Sequence, residues 1–325
     1  MNLLRSNVYA KGNREHLREP SEDSRAHEEA LWEKLSYVEG SAKADVLDEL
    51  SHIAYNRRNF IECLQLVDVS IEIYQSLGLE RFAKDFIHVS LGKAYCLVHL
   101  ERRSQAAKVF EEIASLQKEE DDVSGYLNAI REAANNWFEA GEWQKSLDCY
   151  TAAKDAIDPD ATPISMGIDL LNIGATYAKL SKHGAAIENF KSARALFKEA
   201  KNPVNVNWCD REISRSFCEI EDGFEAKFYA QNFFNYSKII DDIEMEGDAR
   251  YLLGKAHLLL EEFDDAEREI QRALEIFTRD DIKDWDSIIG ANKVLIRVYS
   301  AIGRENEAND RLKALKTIEE IFEAA

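Results

Sequence analysis

The chain has 325 residues, 45% of them apolar, and its 61 acidic side chains outnumber its 41 lysines and arginines, for a formal charge of −20. So acidic a chain is a poor general binder of DNA, RNA or anionic membranes, because its mean field repels their phosphates. Only 4 prolines and 14 glycines interrupt it, which indicates a mostly helical protein. No run approaches the roughly 18 apolar residues of a membrane span, so we expect no membrane insertion.

The N-terminal segment, residues 1–23, is polar and lacks the continuous apolar stretch of a secretory signal. We expect it to form a poorly ordered arm. In residues 24–41, Ala30, Leu31 and Leu35 fall on one stripe of a predicted helix. We expect this helix to cap the segment that follows, because a repeat array otherwise leaves an apolar end exposed.

An internal repeat occupies residues 42–325. Three copies contain an apolar residue, a glycine, two further residues and a ring: "LGKAY" at 91–95, "IGATY" at 173–177 and "LGKAH" at 253–257. Counting the degenerate copies, the lead residues are Leu50, Leu91, Ala133, Ile173, Ile213, Leu253 and Leu295. Their separations of 40–42 residues predict an array of similar supersecondary units.

Each copy also predicts a second helix in which small and large residues alternate. In the fourth copy, Ala186, Phe190 and Ala193 have this spacing, and Gly174 stands in the first helix. A glycine destabilises a helix by about 1 kcal/mol relative to alanine, which is tolerable where its missing side chain lets another helix approach. The pattern therefore predicts closely packed antiparallel helix pairs.

These residues resemble the tetratricopeptide repeat (TPR) family, in which an apolar-Gly-x-x-Tyr segment is followed nine residues after the tyrosine by alanine. The fourth copy matches throughout, whereas the sixth has His257 in the ring position and the first, fifth and seventh are looser. The period exceeds the usual length of about 34 residues and is similar to that of long-helix variants. The resemblance implies an all-α fold: a right-handed superhelical TPR-like solenoid of about seven helix-turn-helix repeats with an N-terminal capping helix.

We find no motif for nucleotide binding, zinc proteolysis, esterase chemistry or calcium binding, and no two histidines stand at a ligand-like spacing. Acidic clusters such as 240–248 fall at predicted helix ends, where solvated charge explains them. The five cysteines include no CxxC pair and are expected to be free core thiols in a reducing cytosol. We therefore predict a cytoplasmic, non-enzymatic protein with no cofactor, no metal and no catalytic residue.

Candidate binding residues lie on one face of the first helices. At about 100° per residue, the positions two before and two after each lead residue point away from the packed side, and in the TPR family that side lines a peptide-binding groove. These 14 positions hold seven lysines or arginines and one acid. The predicted partner-binding residues are Lys93, Arg131, Asn135, Arg211, Arg215, Lys255, Lys293, Arg297, Tyr251 and Trp208, the last of which stands three residues before Arg211 on the same face.

A basic groove with aromatic side chains would attract an acidic or carboxylate-bearing protein segment. The simpler alternative is that these bases balance acids on neighbouring helices. For function, we expect an adaptor that holds a partner segment in the groove. The alternative is a peptide- or signal-responsive regulator whose superhelix changes curvature to gate a target protein. Net charge disfavours a nucleic acid as partner.

Overall fold

A computed structural model describes residues 22–156 and 161–324, and within these ranges the chain forms fifteen α-helices and no strand. The predicted all-α helical repeat fold is confirmed. Of the predicted N-terminal arm, residues 1–21 lie outside the described residues. The helices fall into two compact units, Met1–Asp160 and Ala161–Ala325.

The first unit contains a leading helix and three helix pairs. Its helices are α1 (Glu22–Leu35), α2 (Gly40–Asn56), α3 (Phe60–Leu77), α4 (Leu79–His99), α5 (Arg103–Glu119), α6 (Val123–Glu139) and α7 (Trp143–Asp155). Each helix packs against the next one in the chain, and α2 also touches α4. Helix α1 packs on α2 and buries Leu31.

The second unit contains four helix pairs. Its helices are α8 (Pro163–Lys179), α9 (His183–Glu199), α10 (Pro203–Glu219), α11 (Gly223–Ile240), α12 (Ile243–Leu259), α13 (Phe263–Phe277), α14 (Trp285–Ala301) and α15 (Glu305–Ala324). Neighbours in sequence pack together, and the first helices of successive pairs, α8, α10, α12 and α14, also touch one another in that order. The first helices thus form a row, which positions the candidate site.

Local sequence fixes where the first helices begin. At the start of α8, the Thr162 and Ser165 side chains each accept a hydrogen bond from the other's backbone N–H, and Pro163 occupies the first turn. At the start of α10, the Asn202 side chain accepts a hydrogen bond from a backbone N–H and Pro203 follows it. Such caps satisfy donors that have no partner within the helix, and proline suits the first turn.

Packing of the fourth helix pair explains the spacing of small residues. Ala186, Phe190 and Ala193 are all fully buried. A Cβ added at Gly174 would lie 2.6 Å from Phe190 Cε1 and 3.2 Å from the backbone oxygen of Ala186. The glycine on α8 is therefore required by the close approach of α9, as the sequence predicted.

The connections within pairs are tight and contain residues in left-handed backbone geometry. Glu101, Ser181, Glu221 and Glu261 have φ between 56° and 60°, and Gly141 has φ 78° at the equivalent place. A left-handed residue with a side chain carries a strain of roughly 1–2 kcal/mol, which this turn accommodates in several repeats.

No helix within 22–156 or 161–324 is long and apolar enough to cross a bilayer. All five cysteines are buried and free.

Candidate partner-binding face

In the first unit, the predicted binding residues are occupied by contacts within the protein. The ammonium group of Lys93 on α4 lies 2.7 Å from the Asp68 carboxylate on α3. The amide oxygen of Asn135 on α6 accepts a hydrogen bond from the hydroxyl of Tyr150 on α7. Arg131 on α6 is half-buried and also interacts with protein groups. Lys93 and Asn135 therefore link neighbouring helices.

Arg211 on α10 is buried, with only 7% of its surface exposed, although its position in the repeat predicted a side chain facing the groove. Its Nη2 lies 2.7 Å from Asp248 Oδ2 on α12, and its Nη1 lies 3.1 Å from Glu212 Oε1. Arg215 shares Glu212 at 3.3 Å and keeps 43% of its side chain exposed. A buried cation requires such partners because desolvation is costly. Arg211 thus joins two first helices, as the charge-balance alternative predicts.

Lys255 on α12 forms a second ionic contact to α10. Its ammonium group lies 3.0 Å from Glu219 Oε1 and 5.9 Å from the centre of the Tyr251 ring. Burial alone would raise the pKa of Glu219, but the hydrogen bond and the charge of Lys255 lower it below the ordinary value. Glu219 is therefore ionised at neutral pH, and the pair neutralises the charge of Lys255.

The two predicted aromatic residues are half-buried beside these cations. The Arg211 guanidinium lies 5.2 Å from the centre of the Trp208 ring, within the distance of a cation–π contact. Tyr251 lies beside α14, where a Cβ added at Gly290 would be 2.9 Å from the tyrosine hydroxyl. Both rings therefore pack against neighbouring groups and remain partly exposed.

Helix α14 carries the most accessible of the predicted bases. Lys293 has 59% of its side chain exposed and lies 3.4 Å from Glu319 on α15, a loose pair. Arg297, one turn further, is exposed and forms no ion pair with the residues of 22–156 or 161–324. Exposed pairs at such distances contribute little stability. Both side chains are thus available to an anionic partner.

Exposed apolar residues occupy equivalent positions on α8 and α10, which touch each other. On α8, Ile164 is 39% and Ile168 is 41% exposed. On α10, Val204 is 50% exposed, and Trp208 is half-buried one turn later. The predicted binding residues include only Trp208 of this group, although Ile168, an apolar residue at the same repeat position, was recognisable from the sequence. The sequence signal for Ile164 and Val204 is an apolar residue nine positions before the lead residues Ile173 and Ile213, where the repeats led by Leu253 and Leu295 have acids.

A competing apolar surface lies on a second helix. Phe224 and Phe228, one turn apart on α11, are 79% and 59% exposed. This pair belongs to one helix, whereas the apolar residues of α8 and α10 recur on two helices in contact. We call the latter group, Ile164, Ile168, Val204 and Trp208, the first-helix apolar face. The two surfaces give alternative docking sites that substitutions can distinguish.

Within the described residues, two clusters bring histidine and carboxylate atoms within 4.8 Å of one another: Asp48, His52 and His88, and His257, Glu262 and Asp265. The sequence analysis predicted no metal site because it searched for ligands at short spacings. His52 and His88 stand on different repeats, so only folding brings them together. The chemistry of both clusters is considered below.

No family model matches the chain. Among curated proteins, it is 25% identical over 175 residues to outer dynein arm-docking complex subunit 4 of Mus musculus, which covers 53% of this chain and 27% of that protein. Its identity to the Homo sapiens protein is 27% over 179 residues, covering 53% of this chain and 25% of the relative. The matched segment thus spans about a quarter of the length of these curated relatives.

Among solved structures, the chain is similar to a signal-transduction ATPase with numerous domains and a tetratricopeptide repeat sensor from Pyrococcus horikoshii. The TM-score is 0.64 at 15% identity, covering 92% of this chain and 45% of that one. It is also similar to the apo form of the quorum sensor NprR from B. thuringiensis, with TM-score 0.57 at 15% identity, covering 91% and 82%. These likenesses concern the fold, and they confirm the resemblance to TPR proteins.

Proposed function

We propose that this chain, which has a TPR-like fold, is a non-enzymatic scaffold that binds a segment of a partner protein along the first helices of its second unit. The observation that carries this proposal is the first-helix apolar face. An isolated exposed apolar side chain is normal on a protein surface, but its recurrence at equivalent positions of adjacent repeats is typical of an interaction site.

The partner segment should combine apolar side chains with carboxylates. Its apolar residues would contact Ile168 and Val204 on α8 and α10, while its carboxylates would pair with Lys293 and Arg297 on α14. Both bases are exposed, unlike Arg211, whose charge is already neutralised by two acids. Apolar contact would supply most of the affinity, and the bases would set the orientation of the segment.

The curated relatives support a place in a larger protein assembly. Their name describes a subunit of a docking complex for outer dynein arms. By this likeness we propose that the present chain also docks one protein onto another. We also propose that the protein is located in the cytoplasm.

The alternative function is a ligand-responsive regulator, which would change its radius in solution when a small peptide is added.

Affinity capture from a native lysate tests the binding face. With Ile168→Asp/Val204→Asp, we expect at least a tenfold loss of the captured partner, about 1.4 kcal/mol, because a carboxylate would be desolvated at an apolar contact. The matched control is Phe224→Asp/Phe228→Asp, which makes the same change in charge on α11. Loss of the partner with the control, and retention with the first-helix variant, would place the binding surface on α11.

A further inference from the structure

In the first unit, three side chains with metal-binding atoms meet on the solvent side of α2 and α4. Asp48 and His52 stand one turn apart on α2, and His88 stands on α4. His88 Nε2 lies 3.2 Å from Asp48 Oδ2, and His52 Nε2 lies 3.9 Å from Asp48 Oδ1. The two helices touch, so the cluster bridges the first helices of successive repeats.

The spacing of these atoms is close to that of a tetrahedral metal site. Zinc bonds of about 2.0–2.2 Å to nitrogen and oxygen place neighbouring ligand atoms roughly 3.3–3.5 Å apart. The imidazoles of His52 and His88 meet at an interplanar angle of 82°, so they are not stacked face to face. Their side chains are 55% and 58% exposed, and the candidate ligand atoms of the cluster lie within 4.8 Å of one another, so small rotations of the exposed imidazoles would bring them to those spacings.

The charges around Asp48 leave a place for a cation. Its side chain is only 18% exposed, and within the described part of the chain its ion-pair partners are the two histidines alone. No lysine or arginine of the described residues therefore pairs with this carboxylate to offset its formal negative charge. A divalent cation would neutralise that charge and accept a lone pair from each imidazole.

The other cluster lacks this property. Glu262 already receives the ammonium group of Lys227 at 2.7 Å, and His257 Nδ1 lies 2.5 Å from the same Glu262 oxygen. Asp265 pairs with Arg268 at 2.5 Å. A metal ion would have to displace two cations there, so this cluster is an ion-pair network and serves as a contrast.

We propose that Asp48, His52 and His88 form a binding site for a divalent metal ion, with Zn²⁺ as the cation that fits best. Two imidazole nitrogens and one carboxylate oxygen suit Zn²⁺, and three protein ligands leave a fourth position open to solvent. The bound ion would join α2 to α4. A water molecule or a donor side chain of another protein would complete the coordination.

Calorimetric titration of the full chain with Zn²⁺ tests the proposal. We expect one site in the wild type and at least a hundredfold weaker binding in His52→Ala/His88→Ala, with at least a tenfold loss in Asp48→Asn, judged from losses of about 10–100-fold for weaker perturbations of metal sites. The matched control, His27→Ala/His183→Ala, removes two described histidines outside the cluster and should bind as the wild type does. Retained binding in the cluster variants, or no specific binding in the wild type, would overturn the proposal.

A second readout identifies the ligands directly. With Co²⁺ in place of Zn²⁺, the wild type should show visible d–d bands without the near-ultraviolet band of a thiolate ligand, because the five cysteines are buried. A thiolate band would refute the assignment. Circular dichroism checks that each variant is folded, and Zn²⁺ should raise the melting temperature of the wild type and the control but not of the double variant. Asp48→Asn is nearly isosteric and keeps the test decisive if the double variant unfolds.

Discussion

Two glycines occupy the same place in their repeats but have different neighbours. A Cβ at Gly174 would lie 2.6 Å from Phe190 Cε1, whereas a Cβ at Gly92 would meet only Val67 Cγ1, at the ordinary distance of 3.7 Å. The repeat pattern alone assigned both glycines the same role. It could not distinguish them because the separation between paired helices depends on side chains outside the motif.

Alanine substitution should therefore have opposite effects at the two sites. Gly92→Ala should stabilise the protein by up to about 1 kcal/mol, through better helix propensity with no clash. Gly174→Ala should destabilise it by about 1–3 kcal/mol, because Phe190 is fully buried and its ring cannot move away. Guanidinium chloride denaturation followed by circular dichroism measures both. Equal effects at the two glycines would refute the close-approach explanation.

At the scale of helices, ionic contacts join neighbouring first helices of the second unit. Arg211 reaches from α10 to Asp248 on α12, and Lys255 reaches back from α12 to Glu219. A helical wheel predicts which side of one helix is polar, but not whether an adjacent helix covers it. For that reason the sequence identified Arg211 as a candidate binding residue, while the structure shows a buried residue that joins two helices.

Because Arg211 is buried between two helices, its removal should lower the stability of the fold. Arg211→Ala leaves Glu212, itself 7% exposed, with a weaker partner, and we expect destabilisation of about 3–5 kcal/mol as for a broken buried pair. The matched control, Arg297→Ala on α14, removes an exposed arginine and should stay within about 0.5 kcal/mol of wild type. Thermal melting compares the two variants. Equal melting temperatures would contradict the structural role of Arg211.

At the scale of the molecule, the sequence predicted the helices and their pairing well because the repeat recurs at every copy. The lead residues Leu50, Ile213 and Leu295 are all buried as expected. The candidate site was less predictable, because contacts between different repeats determine it. Asp248 neutralises Arg211 from a neighbouring repeat, and His88 joins His52 across one repeat. Such contacts leave no local spacing signal.

The central claim is that a partner segment lies on the first helices of the second unit. Site-specific photo-cross-linking in a native lysate tests it most directly, with benzoylphenylalanine placed in turn at Ile168, Val204, Arg297 and, on the competing surface, Phe224. The account predicts one cross-linked partner common to positions 168, 204 and 297 and absent at 224. Cross-linking of that partner from position 224 alone would contradict it.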